Sequence, residues 1–184
     1  MDPELEFDLI LKSIAGDAQA FRQLVETHQG LAYSIAYRFT RDENESEDIV
    51  QEAFVKLWKN LSKYNSDYRL KTWLGKIVTN LCLDHLKSGR VRKVKSESNF
   101  SEEVKNVPAS NGSELETEEL KAIVFQLAEK LTEKQKAVFI LRDLEMFTPE
   151  EVCETLQMSA GNMKSNLYYA RLKIKEGLQK FYKT

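Results

Sequence analysis

Apolar residues recur at steps of three and four along most of the chain, and almost nowhere do they alternate. Ala20, Phe21, Leu24, Val25, His28, Leu31, Ile35 and Phe39 run down one helical face. The spacing predicts helix over 8–40, broken near Gly16-Asp17. A second helix is expected from "NESEDIVQEAFVKLWKNL", with Asn44 as cap, Glu47 completing a capping box, and Ile49, Ala53, Phe54, Leu57 and Leu61 as its buried stripe. A third starts near Leu70 after the polar loop "SKYNSDYR". Leu70, Trp73, Leu74, Ile77, Val78 and Leu81 share its apolar face, with Cys82 and His85 at the edge. Thr72, Lys76, Thr79, Asn80, Leu83 and Lys87 form the other face.

The period then lapses. Residues 93–116 hold Pro108, Gly112, many Ser and Asn, and no sustained apolar repeat, which is the composition of a flexible acidic linker. Beyond it, Leu120, Ile123, Val124, Leu127 and Leu131 mark another amphipathic helix, and Thr132 with Gln135 opens the next. Thr148 caps a short helix with Pro149 at its first position and Glu151 closing the box. That helix buries Val152 and Leu156. A turn at Gln157-Met158 leads to a second cap, Ser159. The last helix buries Met163, Leu167, Ala170, Ile174, Leu178 and Phe181. No strand is needed. The expected fold is all-α: two small helical domains, 1–92 and 117–184, joined by the linker.

Composition narrows the function. With seven Gly and three Pro in 184 residues, turn signals are few, in keeping with helices. No apolar run is long enough to span a bilayer, and the acidic start lacks a secretory n-region, so a cytoplasmic location is expected. Cys82 and Cys153, the only cysteines, sit singly among apolar residues and read as core. His28 and His85 are solitary too. Without a metal-ligand cluster, a phosphate-cradling Gly-rich loop or a positioned nucleophile, a hydrolase is disfavoured. No catalytic residue, metal or cofactor is expected.

Charge adds more than its net value of −2 suggests. Residues 42–52 carry only acids. Residues 63–95 carry nine basic side chains against Asp67 and Asp84, and 164–184 carry six against Glu176. Blocks of opposite sign imply separate surfaces with separate partners. On the second helix, Glu45, Asp48, Gln51, Glu52 and Lys59 surround an outward-pointing Val55. That face is either an ordinary solvated one or a docking surface for a basic partner helix. Tyr64, Tyr68 and Trp73 lie among Arg69, Lys71, Lys76 and Lys87, a mixture suited to an opened strand, with bases on rings and phosphates on cations. The two capped helices near the C-terminus form a helix-turn-helix, whose second helix enters the major groove. Its exposed positions are Asn162, Lys164, Ser165, Asn166 and Tyr169, with Arg171 further along; N–H groups after Ser159 can hold a phosphate.

"ESEDIVQEAFVKLWKNL", "LKTWLGKIVTNLCLDHLKSGR" and "LTEKQKAVFILRDLEMFTPEEVCETLQMSAGNMKSNLYYARLKI" together resemble the extracytoplasmic-function sigma factors of bacterial RNA polymerase. The resemblance spans nearly everything but the linker. It implies that the chain directs promoter-specific initiation by core polymerase. It also implies that Asp48, Gln51 and Glu52 dock on the beta-prime clamp helices, with the beta flap a further polymerase contact. By the same resemblance, Arg69, Lys71, Trp73, Lys76, Asn80 and Lys87 recognise and open the minus-ten element. Tyr64 and Tyr68 stand where the family's loop is commonly rich in phenylalanine. The helix-turn-helix, from Thr148 through Arg171, corresponds to the unit reading the minus-thirty-five element. Asn166 stands where the family commonly has arginine, so no promoter sequence is carried over. An anti-sigma factor is an implied partner. A helix-turn-helix regulator working without polymerase is the alternative, and it leaves the acidic helix and the aromatic-basic segment unexplained.

Overall fold

Local chemistry at each chain reversal sets the helix boundaries. The computed structural model describes residues 2–95 and 113–181. Asp2 caps α1 (Pro3–Ile14) by accepting the Glu4 N–H at 2.9 Å. Gly16, at φ 96°, lets the chain double back to Asp17. Asp17 in turn caps α2 (Ala18–Thr40) through the N–H groups of Gln19 and Ala20. The break read at Gly16-Asp17 is therefore a C-cap followed at once by an N-cap.

α2 ends on Arg41 in the left-handed conformation, and Asp42 caps α3 (Glu43–Asn60) by accepting the Glu45 N–H at 2.9 Å. The expected cap, Asn44, lies instead inside the first turn. The reversal takes only two residues, so the side chain at 42 reaches the free N–H groups first. A 3₁₀ turn (Leu61–Lys63) and the loop 64–69 lead into α4 (Leu70–Lys95).

The linker expectation falls mostly on 96–112, outside the described residues. Its edges are helical, because α4 runs to Lys95 and α5 (Ser113–Ala128) begins at Ser113. Next come α6 (Glu133–Phe139), a π-helical segment (Ile140–Leu144), α7 (Pro149–Leu156) and α8 (Ala160–Phe181). The capping boxes at Thr132/Gln135 and Thr148/Glu151 both form. Among the described residues there is no strand.

α1 to α4 enclose the larger part of the core through Ile10, Leu24, Ile35, Phe39, Leu57 and Leu74. That same apolar cluster continues without a gap into the second unit, through Val138, Ile140, Leu141, Phe147, Val152 and Met163. A smaller cluster of Leu127, Leu131, Phe139, Ala170 and Ile174 serves α5, α6 and α8 alone. Phe181, expected in the core, is exposed in the last turn of α8, beyond the apolar cluster that ends with Ile174 and Leu178.

The join between the units is polar as well as apolar. Lys136 is only 3% exposed, yet its Nζ donates to the Phe39 carbonyl at 3.0 Å and to Glu129 at 2.7 Å. The first bond satisfies a carbonyl in the last turn of α2, where a cation also meets the negative end of the helix dipole. Glu145 accepts from Ser34 at 2.6 Å and pairs with Arg38. Phe147 lies fully buried with its ring against Gly75 of α4. A Cβ at position 75 would sit 3.1 Å from that ring, so glycine is what allows the approach.

Candidate nucleic-acid and docking interfaces

The aromatic-basic segment divides by depth. Tyr64 and Trp73 are half-buried, with ring centroids 5.6 Å apart, and the Tyr64 hydroxyl donates to the Tyr68 carbonyl at 2.5 Å. Burial holds the Tyr64 phenol above its ordinary pKa, so it stays a neutral donor. These two rings brace the loop onto α4. Tyr68, 44% exposed, is the ring left free for a ligand. A cleft of about 170 Å³ opens beside it, lined by Lys63, Tyr64, Asn65, Tyr68, Trp73 and Lys76, with Glu154 of α7 at its edge. Arg69, Asn80 and Lys87 are exposed, Lys87 lying 3.5 Å from Asp84.

The other half of this surface is covered. Thr72 and Thr79, assigned by periodicity to the outward face, are buried. α7 lies against α4, and the Thr155 hydroxyl donates to the Thr72 carbonyl at 3.4 Å. Lys71 Nζ is 3.0 Å from Glu151 Oε1 and 4.8 Å from the centre of the Phe147 ring. Periodicity within α4 identifies which residues share a face. It does not show that α4 meets α2, α3 and α7 at once.

The acidic face of α3 stands open. Asp48, Gln51, Glu52, Val55 and Lys59 are all exposed along one side of the helix, and Glu52 pairs with Lys56 at 2.9 Å. Gln51 also lines a cleft of about 360 Å³ with Gln29, Gly30, Tyr33, Glu47 and Val50, running between α2 and α3. Burial and the nearby Glu43 and Glu47 raise the Tyr33 pKa. Trp58, 40% exposed and edge-on to Phe21 at 4.6 Å, belongs to this surface as well, though its sequence position carried no signal beyond an apolar residue off the stripe.

In the helix-turn-helix, Thr148 is committed to its cap, accepting the Glu151 N–H. Ser159 accepts the Asn162 N–H at 3.3 Å. Asn162, Lys164, Ser165 and Tyr169 project from α8 into solvent. Asn166 donates its amide to the Asn162 carbonyl at 2.8 Å. Arg171 forks onto Asp143, through Nε at 2.8 Å and Nη2 at 2.6 Å, and that carboxylate raises its pKa further. Arg171 thus ties α8 to the π-helical segment, with more than half of its side chain still in solvent. Tyr168 was missed. It is 62% exposed, edge-on to Tyr169, and its position three along from Ser165 was the available clue.

Comparison with known proteins bears on these surfaces together. Residues 24–92 match the Sigma-70 region 2 family, and residues 121–174 match Sigma-70, region 4. The ECF RNA polymerase sigma-E factor of Escherichia coli is 30% identical over 171 residues, covering 89% of each chain.

The chain belongs to the extracytoplasmic-function sigma factors.

RNA polymerase sigma-H factor of Pseudomonas aeruginosa is 28% identical over 184 residues, covering 96% of this chain and 95% of that one. The ECF sigma factor SigW of Bacillus subtilis is 27% identical over 176 residues, covering 89% and 91%. Among solved structures, CnrH in complex with the cytosolic domain of CnrY superposes with a TM-score of 0.71 at 21% identity, over 96% of this chain and 98% of that one. The sigma factor RpoE in complex with the anti-sigma factor NepR from Bartonella quintana gives 0.70 at 23% identity, over 88% and 98%. At those identities the two structures speak for the fold. This sigma factor binds core RNA polymerase and directs promoter-specific initiation. No helix among its described residues is long and apolar enough to cross a membrane.

Proposed function

We propose that this sigma factor divides its work among three surfaces. The open face of α3, with Asp48, Gln51 and Glu52 around Val55 and Lys59, docks on the beta-prime clamp helices of core polymerase, and the second unit meets the beta flap. The cleft beside Tyr68, with Arg69, Lys71, Lys76 and Asn80, takes the opened strand of the minus-ten element, while Tyr64 and Trp73 hold its wall. Asn162, Lys164, Ser165 and Tyr169 of α8 read the minus-thirty-five duplex in the major groove. The protein works in the cytoplasm, where the polymerase is. An anti-sigma factor is its regulator; complexes of that kind exist for structurally similar sigma factors.

One observation carries the strand-binding assignment. One exposed ring, Tyr68, borders a cleft walled by two half-buried rings and edged by lysines, where the loop 64–69 enters α4. Stacking on such a ring contributes about 1–3 kcal/mol per base. Permanganate footprinting of a promoter bubble, with holoenzyme carrying Lys76→Ala and Asn80→Ala together, tests it. Strand opening should be lost while assembly with core is retained. Normal opening would remove the assignment.

A further inference from the structure

Glu151 and Glu154 have no part in the three surfaces, yet Glu154 edges the strand-binding cleft and Glu151 pairs with Lys71, one of the cations assigned to the strand. Glu151 is a doubly used carboxylate. Its Oε2 accepts the Thr148 N–H at 2.8 Å and completes the α7 capping box, leaving Oε1 to Lys71 at 3.0 Å. Three residues on, Glu154 enters the edge of the cleft that Lys63 and Lys76 line. One turn of α7 thus carries two acids, spaced i and i+3: Glu151 pairs with Lys71 of α4, and Glu154 shares the cleft lining with Lys63 of the 3₁₀ turn and Lys76 of α4. The contact is clamped beneath by Phe147 on Gly75 and at the backbone by Thr155 on the Thr72 carbonyl. The Glu151 and Lys71 side chains are 15% and 28% exposed, so water screens the pair less than it would a surface one.

We propose that Glu151 and Glu154 stand in for phosphates of the opened DNA strand, so that α7 closes one side of the strand-binding site of the same chain. A phosphate and a carboxylate ask for the same partners, namely charge-assisted bonds from lysine ammonium groups. A strand entering the cleft must displace α7, and its apparent affinity is lowered by the fraction of molecules in which the cleft is closed. The device keeps the free protein off single-stranded nucleic acid. It rests on the assignment of α4 and its loop as the strand-binding site.

Glutamine at both positions removes the charge and still supports the cap, since a capping box accepts either Glu or Gln at this position. Fluorescence anisotropy of a labelled single-stranded oligonucleotide of about 20 nucleotides, enough for one such binding site, is measured with the full chain. The double variant Glu151→Gln, Glu154→Gln should bind about tenfold more tightly than wild type, as expected for removing a closure that blocks most molecules. Arg69→Ala, Asn80→Ala, at exposed strand-site positions away from α7, should bind more weakly than wild type. Unchanged affinity in the glutamine variant, with weakened binding in the alanine variant, overturns the phosphate mimic and leaves the site standing. Unchanged binding in the alanine variant overturns both. Gly75→Leu, which drives a side chain into the Phe147 ring, supplies a second route. It should also tighten binding, and a Gly75→Leu protein that is folded by circular dichroism yet binds no better would count against the mimic.

Discussion

α3 and α4 are neighbouring helices of one core, each with a charged face turned away from it, and the two faces meet different fates. That of α3 is bare, with Asp48, Gln51, Glu52 and Val55 all in solvent. That of α4 is half covered by α7, with Thr72 buried and Lys71 paired. An amphipathic helix tells which side faces its own core, but a second unit can still close over the other side. The faces also differ in sign. An acidic face finds no complement in the acids of α7, whereas the lysines beside Tyr68 do.

The contrast has a geometric side. Elements centred about 25 base pairs apart span roughly 85 Å of duplex at about 3.4 Å per step. Helices α4 and α7 are in contact. On the proposed assignment, serving both elements at once requires that contact to part.

Four experiments press on this comparison. Reversing the α3 face with Asp48→Lys and Glu52→Lys should abolish co-purification with core polymerase. It should change stability by no more than about 0.5 kcal/mol, as for other exposed sites. Retained assembly would place the docking face elsewhere. Phe147→Ala empties the joint beneath α7 and should cost about 3–5 kcal/mol in chemical denaturation. A loss below about 1 kcal/mol would mean that the two units contribute little to each other's stability.

Lys136→Met keeps the apolar stem but leaves the Phe39 carbonyl without its donor. The expected cost is about 1–3 kcal/mol. A gain in stability would indicate that desolvating the ammonium outweighed its two bonds.

The smallest effect concerns Glu6, half-buried against His28 at 2.8 Å. The bond from His28 holds the Glu6 carboxyl below its ordinary value, despite the opposing effect of burial. The unfolded chain therefore takes up this proton first as pH falls below about 4.3, the ordinary glutamate value. The pair's contribution is whole above that point and drains away as pH drops through the lowered folded value. Wild type should melt above Glu6→Gln near neutrality, and the gap should close in acid. A gap that widens in acid would reverse the assignment.

Much of this was readable in the sequence. Helix types, the break at Gly16-Asp17, both Thr capping boxes and the α3 face follow from periodicity and side-chain reach, which act within a few residues. What escaped acts across the chain or turns on one dihedral. Asp42 took the cap from Asn44 because Arg41 is left-handed, a backbone detail with no residue signature when the residue is not glycine. The burial of Thr72 and the second bond of Glu151 depend on contacts between residues about 80 positions apart. Glu151 had already been accounted for by its cap, which hid its other oxygen. The fork of Arg171 onto Asp143, 28 residues away, is likewise a contact that spacing within α8 does not show.

The two cysteines acquire a practical meaning from their depth. Cys82 lies in the innermost packing of α4, and burial raises its thiol pKa to about 12, so at neutral pH it offers alkylating reagents almost no thiolate. Cys153 is only half-buried, and it sits on α7 between Glu151 and Glu154. The natural chain therefore carries one addressable thiol, on the helix whose departure from α4 is in question. A probe placed there by a maleimide would report directly on the surroundings of that helix.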